Sequence, residues 1–388
     1  VNKSSRQIIL ILGIILVSIN LRTSIASVGP LIPFIREDLN ISNGLAGFLT
    51  TLSLLTFAIF SLFAPSIGKR IGNGKAIFLG ILLLTIGVVV RVLGGIELLY
   101  LGTALTGVGI VIANVLMIPF FKAYLPEKIG LFTAILTTGM SLFAAIASGI
   151  SVPMAVDWGW GWRGSLVSWS VLMVLALLAW IPQLKPSQSG TQEDFLPAKN
   201  VWKSRLAWQV TLFMGAQSVM YFTMITWLPD MLIARGMSPL TAGIALSYMQ
   251  LISLIGTFFA PGLLIRLKEQ SKVILVVGVS YIVGYAALFI HHEWVTFGAL
   301  TIIGIGSGAS LSIAYTLISL RSSEDMTTAK LSGMVQSAGY ILAALGPLLF
   351  GISMDMFGNW NVLIWFLLLM TIQFISFGLP AGRDKKIV

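Results

Sequence analysis

"LIPFIREDLNISNGLAG", Leu31 to Gly47, and "WLPDMLIARGMSPLTAG", Trp227 to Gly243, align at a constant offset of 196 residues. Pro33 falls on Pro229, Ser42 on Ser238, and Ala46-Gly47 on Ala242-Gly243. The same register carries "FAP" at Phe63 to Pro65 onto "FAP" at Phe259 to Pro261, and Arg70 onto Arg266. Chance identities do not hold one register over two helices and a loop. The chain reads as a duplication, and the surrounding sequence says what is duplicated.

Of the 388 residues, 57% are hydrophobic and 10% charged, where a soluble domain carries about a quarter charged residues. With a mean hydropathy of +0.95, there is too little polar surface to cover a water-soluble particle. Apolar runs of about 20 residues recur between short polar breaks. They predict twelve spans, at 7–36, 44–68, 76–96, 98–122, 129–156, 163–183, 206–234, 240–265, 272–291, 294–320, 328–356 and 360–380. The first run lacks a small-residue cleavage site and is too long for a signal-peptide core, so it reads as a retained span. The longest polar break is "KPSQSGTQEDFLPAKNVWKSR", Lys185 to Arg205. It has the composition of a linker. The expected organisation is an N-terminal six-helix bundle (1–183), a cytoplasmic linker (184–205) and a C-terminal six-helix bundle (206–388). The fold class is an all-α membrane protein whose twelve transmembrane helices form two pseudo-symmetric bundles.

Loops on the side shared with both termini hold nearly all the Lys and Arg, and the opposite loops hold only Arg36, Arg163 and Arg235. The positive-inside rule then puts both termini in the cytoplasm. The net charge of +10 is scattered singly and in twos and threes, and does not form the clustered face that nucleic acid needs. The absence of cysteine excludes disulfides, zinc-thiolate sites and thiol nucleophiles. With no buried His or acid expected, a hydrolase has no nucleophile–base pair to work with, so no enzyme activity is expected. His291 and His292, beside Glu293, make a poor metal site. "GVG" (Gly107 to Gly109) and "GIGSG" (Gly304 to Gly308) lie inside spans and read as close helix packing. "WGWGWR", Trp158 to Arg163, reads as an interfacial aromatic anchor.

All 14 acidic residues fall in loops or at helix ends by these spans, and only Arg22 and Arg91 lie inside spans as bases away from their ends. An arginine at the bilayer centre costs about 2.5–3.5 kcal/mol on insertion scales and usually faces a wet cavity or a partner. Arg91, about five residues from the end of its span, can snorkel to headgroups or carbonyls. Arg22 is central to its span. It shares a narrow stripe with Ser18, Ala26, Gly29 and Pro33, which predicts a cavity-facing position. Its planar fork of donors suits a carboxylate-like anion, while its mate across the repeat is Ser218. The other midplane polar residues are Asn114, Gln250 and two i, i+4 pairs, Gln217 with Tyr221 and Gln336 with Tyr340. Each pair shares a helix face. These amides and phenols can donate to an anion without adding charge, or bond between helices instead. Prolines 30, 33, 119, 229, 261 and 347 are expected to supply bends.

Parallel six-helix halves are the arrangement of the major facilitator superfamily, with substrate sites near the bilayer midplane. "GKRIGNGK", Gly68 to Lys75, resembles that superfamily's signature between the second and third helices. The resemblance implies a gating role for Lys69, Arg70 and Gly72, although Lys69 stands where the signature carries Asp. Thr103 stands near the place where many proton-coupled members have an arginine. "NLRTSIASVGPLIPFI", "IANVLMIPFFKAYLPEKIG", "QSVMYFTMITWLP" and "KLSGMVQSAGYILAALGPLLFG" are similar to the cyanate and 2-nitroimidazole transporter family. The resemblance implies a secondary active transporter in a bacterial inner membrane, working by alternating access, and Arg22, as a counter-charge, points to a small anion, cyanate-like or similar, as its substrate. The alternative is a proton-coupled exporter of a neutral, nitroimidazole-like heterocycle. A sensor built on a transporter scaffold is a third reading. The expected partners are the anion and the lipid bilayer, with no cofactor, no metal, no nucleic acid and a monomeric state.

Overall fold

The computed structural model describes residues 3–184, 201–322 and 325–387. Apart from its ends, the expected 184–205 linker lies outside the described residues. Among those residues the chain forms fifteen α-helices. The first nine are α1 (Lys3–Ala26), α2 (Ile32–Leu39), α3 (Asn43–Phe60), α4 (Ala64–Ile71), α5 (Asn73–Val90), α6 (Ile96–Tyr124), α7 (Ile129–Ala155), α8 (Gly161–Ser168) and α9 (Ser170–Trp180). The remaining six are α10 (Arg205–Ala234), α11 (Pro239–Ile265), α12 (Ser271–Ala287), α13 (Glu293–Arg321), α14 (Asp325–Phe357) and α15 (Asn361–Ala381). Three of the twelve predicted spans are broken in two: α1–α2, α3–α4 and α8–α9. Ten segments are long and apolar enough to cross a membrane. The other two are α12, with 17 residues, and α10, whose interior is studded with Gln217, Ser218, Thr223, Thr226 and Asp230. These α10 residues are all buried, so they are shielded by protein and need not be apolar.

By packing, the chain divides into two compact units, residues 1–41 with 52–192 and residues 42–51 with 193–388. The duplication is visible in local geometry. Ser42 and Ser238 hold the same place, each accepting from an amide in the first turn of the helix that follows: Leu45 N at 3.2 Å and Thr241 N at 3.0 Å. Such a hydroxyl satisfies an amide that has no intrahelical acceptor. Just before them, Asn40 takes φ 49° and Gly236 takes φ 92°, again 196 residues apart. Asn40 is the one non-glycine residue with positive φ among the described residues. Asn tolerates this conformation better than most residues.

The breaks in the first span follow from its prolines. A proline lacks the N–H that would serve the carbonyl four residues back, so Pro30 frees the Ala26 carbonyl. The Ser148 hydroxyl of α7 donates to it at 3.1 Å. The other terminal carbonyls of α1 are also served. Thr23 O accepts Ser27 N at 3.0 Å, Ile25 O accepts Val28 N at 3.1 Å, and Ser24 O accepts Arg91 Nη1 at 2.8 Å. Pro261 frees the Thr257 carbonyl in the same way, and Ser312 of α13 donates to it at 3.1 Å. Pro119, Pro229, Pro261 and Pro347 all remain inside continuous helices. Of the six prolines expected to supply bends, Pro30 and Pro33 coincide with a break; Pro65, outside that set, stands at the break before α4.

The glycine runs are packing surfaces. A Cβ on Gly308 would lie 1.8 Å from the Ser253 carbonyl oxygen of α11, and one on Gly304 2.7 Å from that of Met249. In the first unit, Gly107 abuts Thr56 of α3 and Gly109 abuts Gly80 and Leu84 of α5. Backbone-to-backbone approach of this kind supplies the contact that the hydrophobic effect cannot supply in lipid. Gly308→Ala should therefore force α11 and α13 apart and cost at least ~1–3 kcal/mol. Gly298→Ala, on the same helix but with open space around it, should gain up to about 1 kcal/mol in helix propensity. Thermal unfolding of the two purified variants checks the contrast.

Candidate functional site

Arg22 lies on α1, half-buried, close to the middle of the apolar stretch Ile9–Leu39. Its stripe does not face open space throughout, as the spacing predicted. Ser18 is fully buried against Gly139 of α7, and the Ala26 carbonyl is held by Ser148. Arg22 stands between these two points of contact. The small residues serve helix packing, and the long cation is the stripe's half-exposed member at this depth. On the adjoining face, Asn20 donates to the carbonyls of Leu16 at 2.7 Å and Leu172 at 3.1 Å, tying α1 to α9. Asn114, the first unit's other candidate, is half-buried on α6.

Arg91 binds a carbonyl, one of the two partners expected for it, and does so from a buried position. It does not snorkel: it is 1% exposed, just past the end of α5, and its Nη1 caps α1 at Ser24 O. Its Nε and Nη2 are buried without a hydrogen-bond partner among the described residues, so that one carbonyl holds it. A cation at a helix C-terminus is favoured by the helix dipole. Arg321 is a third buried arginine. The sequence reading placed it in a loop, but it ends α13 and is 2% exposed. Its Nε donates to Ala381 O at 2.8 Å and its Nη2 to Gln270 Oε1. These partners lie 60 and 51 residues away in sequence, so no local pattern could have marked it.

In the second unit, Gln217 is buried on α10 and donates to Ser218 Oγ at 2.7 Å and Met214 Sδ at 3.2 Å. The mate of Arg22 is thus a buried hydroxyl already engaged by a neighbouring amide. Tyr221 and Tyr340 both flank Phe222, with ring centroids 5.3 and 6.3 Å from it, so α10 and α14 bring these two phenols into one aromatic cluster. Gln336, half-buried on α14, donates to Ser332 Oγ at 3.0 Å on its own helix. Gln250 is buried on α11, where its carbonyl accepts Ser253 Oγ at 2.6 Å. The acids keep to the surface with one exception among the described residues: Asp230 is buried inside α10, one turn from its end. Asp355 near the end of α14 caps α3, accepting from Asn43 N at 2.9 Å, Asn43 Nδ2 at 2.7 Å and Gly44 N at 2.7 Å.

The signature loop has a simple geometry. Lys69 and Arg70 are exposed in the last turn of α4, where cations suit the dipole. Gly72 takes φ 88° with ψ 143°, a conformation open to glycine and strained for other residues. Of the aromatic anchor, Trp158 and Trp160 are exposed while Trp162 turns inward. Trp162 Nε1 and Arg163 Nη1 both donate to Asp38, at 3.1 and 2.6 Å.

Residues 10–329 match the Major Facilitator Superfamily. The chain is 43% identical to "Uncharacterized transporter YycB" of Bacillus subtilis (strain 168), covering 100% of this chain and 96% of that one. It is 37% identical to the "2-nitroimidazole transporter" of Escherichia coli (strain K12), covering 98% and 97%. With the "Cyanate transport protein CynX" of the same organism it shares 27% identity, covering 90% and 91%. Among solved structures it resembles the D-xylose-proton symporter, with a TM-score of 0.77 at 15% identity and 98% coverage of both chains. At that identity the likeness speaks for the fold alone.

The division of labour among the arginines is testable. Arg91→Met leaves the Ser24 carbonyl without its donor and should cost about 1–3 kcal/mol, read as a lowered thermal midpoint. Arg91→Lys can still reach the one carbonyl involved and should recover part of the loss.

Proposed function

The chain belongs to the Major Facilitator Superfamily, and from that premise we propose that it transports a small anion by alternating access, with Arg22 as the substrate's counter-charge. The observation that carries this reading is the placement of the arginines. Arg91 and Arg321 are sealed in at helix ends, whereas Arg22 keeps partial exposure in the middle of an apolar segment. A guanidinium there presents a planar set of donors matched to a carboxylate-like or cyanate-like anion. Asn114 of the first unit and Gln217, Tyr221, Gln250, Gln336 and Tyr340 of the second assist as neutral donors. Lys69, Arg70 and Gly72 form a gating turn. The protein resides in the bacterial inner membrane with both termini in the cytoplasm, which the Lys and Arg distribution supports. It works as a monomer and without a cofactor.

One observation favours a second reading. The 2-nitroimidazole transporter is more similar to this chain than the cyanate transport protein is, at 37% against 27% identity. That supports export of a neutral heterocycle, in which Arg22 donates hydrogen bonds to a nitro or ring acceptor.

The test is binding and flux in proteoliposomes for wild type, Arg22→Ala and Arg22→Lys, with cyanate-like anions and neutral nitroimidazoles as ligands. For an anion, Arg22→Ala should weaken binding about 10- to 100-fold, and Arg22→Lys should restore only part of it. Unchanged affinity for every anion would sink the counter-charge role. A loss confined to neutral heterocycles would establish the second reading.

A further inference from the structure

The chain's last residues are built into the second unit. The Ile387 amide donates to the Arg321 carbonyl at 2.8 Å, and the Ile387 side chain is buried. The Gln270 amide donates to Gly382 O at 2.8 Å, and the Ser271 hydroxyl to Leu379 O at 2.9 Å. Arg321, from the middle of this knot, binds Ala381 O and Gln270 Oε1. Gln270 Nε2 in turn donates to the carbonyls of Leu264 and Leu267, at 3.2 and 2.7 Å, where α11 ends. The tail is a strap across the ends of α11, α12, α13 and α15.

Two basic segments far apart in sequence are thereby laid side by side. Arg266, Lys268 and Lys272 come from the α11–α12 turn, and Arg383, Lys385 and Lys386 from the strap; all six are exposed. The acids among them are Glu269 and Asp384, and Asp384 faces inward toward Arg321 Nη1 at 4.0 Å. Four cations remain in excess at the ends of membrane-spanning helices. Directly along α11 and α12 from this collar stand exposed apolar side chains, with Phe259, Leu263, Leu267 and Leu275 between 37% and 76% exposed. Cations above and bare hydrocarbon below match a molecule with an anionic head and acyl tails.

We propose that this composite collar is a binding site for the headgroup of an anionic phospholipid, assembled by the C-terminal strap. Free phosphate would use the cations but gain nothing from the apolar rim. A lipid uses both.

The full-length protein, purified in detergent, should show a thermal midpoint raised on the order of 3 °C by added phosphatidylglycerol. Phosphatidylcholine or inorganic phosphate should leave it unchanged. Two variants remove charge from the two segments separately, Arg383→Gln/Lys385→Gln/Lys386→Gln and Lys268→Gln/Lys272→Gln. Each should melt as wild type does in phosphatidylcholine and lose at least half of the phosphatidylglycerol shift. If both variants keep the full shift, the lipid binds elsewhere and the proposal fails. It fails equally if inorganic phosphate or phosphatidylcholine reproduces the shift. If the strap variant is less stable from the outset, the turn variant decides alone, since it leaves every bond of the strap in place.

Discussion

A chain surrounded by hydrocarbon has no water to fall back on, so each carbonyl released where a helix breaks must find its donor within the protein. Much of this structure answers that demand. Pro30 and Pro261 each release a carbonyl, and a serine from a neighbouring helix meets each one. The end of α1 needs one donor more, and Arg91 supplies it from the end of α5. Indole N–H groups do similar work: Trp180 reaches Gly74 O at 2.9 Å and Trp227 reaches Pro347 O at 3.0 Å. Helices are thus held to one another at the points where their own ladders fail. The glycine seams bring the remaining surfaces close enough for dispersion to act.

The same demand separates the buried cations by role. A guanidinium spent on a terminal carbonyl is part of the scaffold, and Arg91 and Arg321 are of that kind. Arg22 occupies a helix interior, where the backbone carbonyls are served by the helix itself apart from its last turn. In the second unit Gln217 and Gln250 are buried amides, and Asp230 on α10 is a buried carboxylate.

The duplicated register, twelve segments and packing role of the glycine runs were all legible in one sequence, because each rests on a short period or a fixed offset. Ser42 and Ser238 kept their identity and could be matched by letter. Asn40 and Gly236 could not, since what they share is a backbone conformation. The prolines announced that the first span would bend, but the position of the break depends on which freed carbonyls find donors on α7 and α5. Arg321 has no local signal for a related reason: its partners lie 60 and 51 residues away. Asp230 stands near a helix end in sequence, and only packing reveals that it is covered. The stripe through Arg22 runs past the end of α1 at Ala26, and a helical stripe of small residues fits a neighbouring helix as well as it fits a cavity.

The bond between Ser148 and the Ala26 carbonyl has a further consequence. A hydroxyl can turn its one proton from one acceptor to another by rotation about the Cβ–Oγ bond, a motion of picoseconds to nanoseconds, and Ser148 Oγ also lies 3.0 Å from the Ala144 carbonyl of its own helix. The joint in α1 is therefore closed by a rotor with a second place to rest. The stiffness of this joint is written 122 residues further along the chain, in a helix that runs unbroken there.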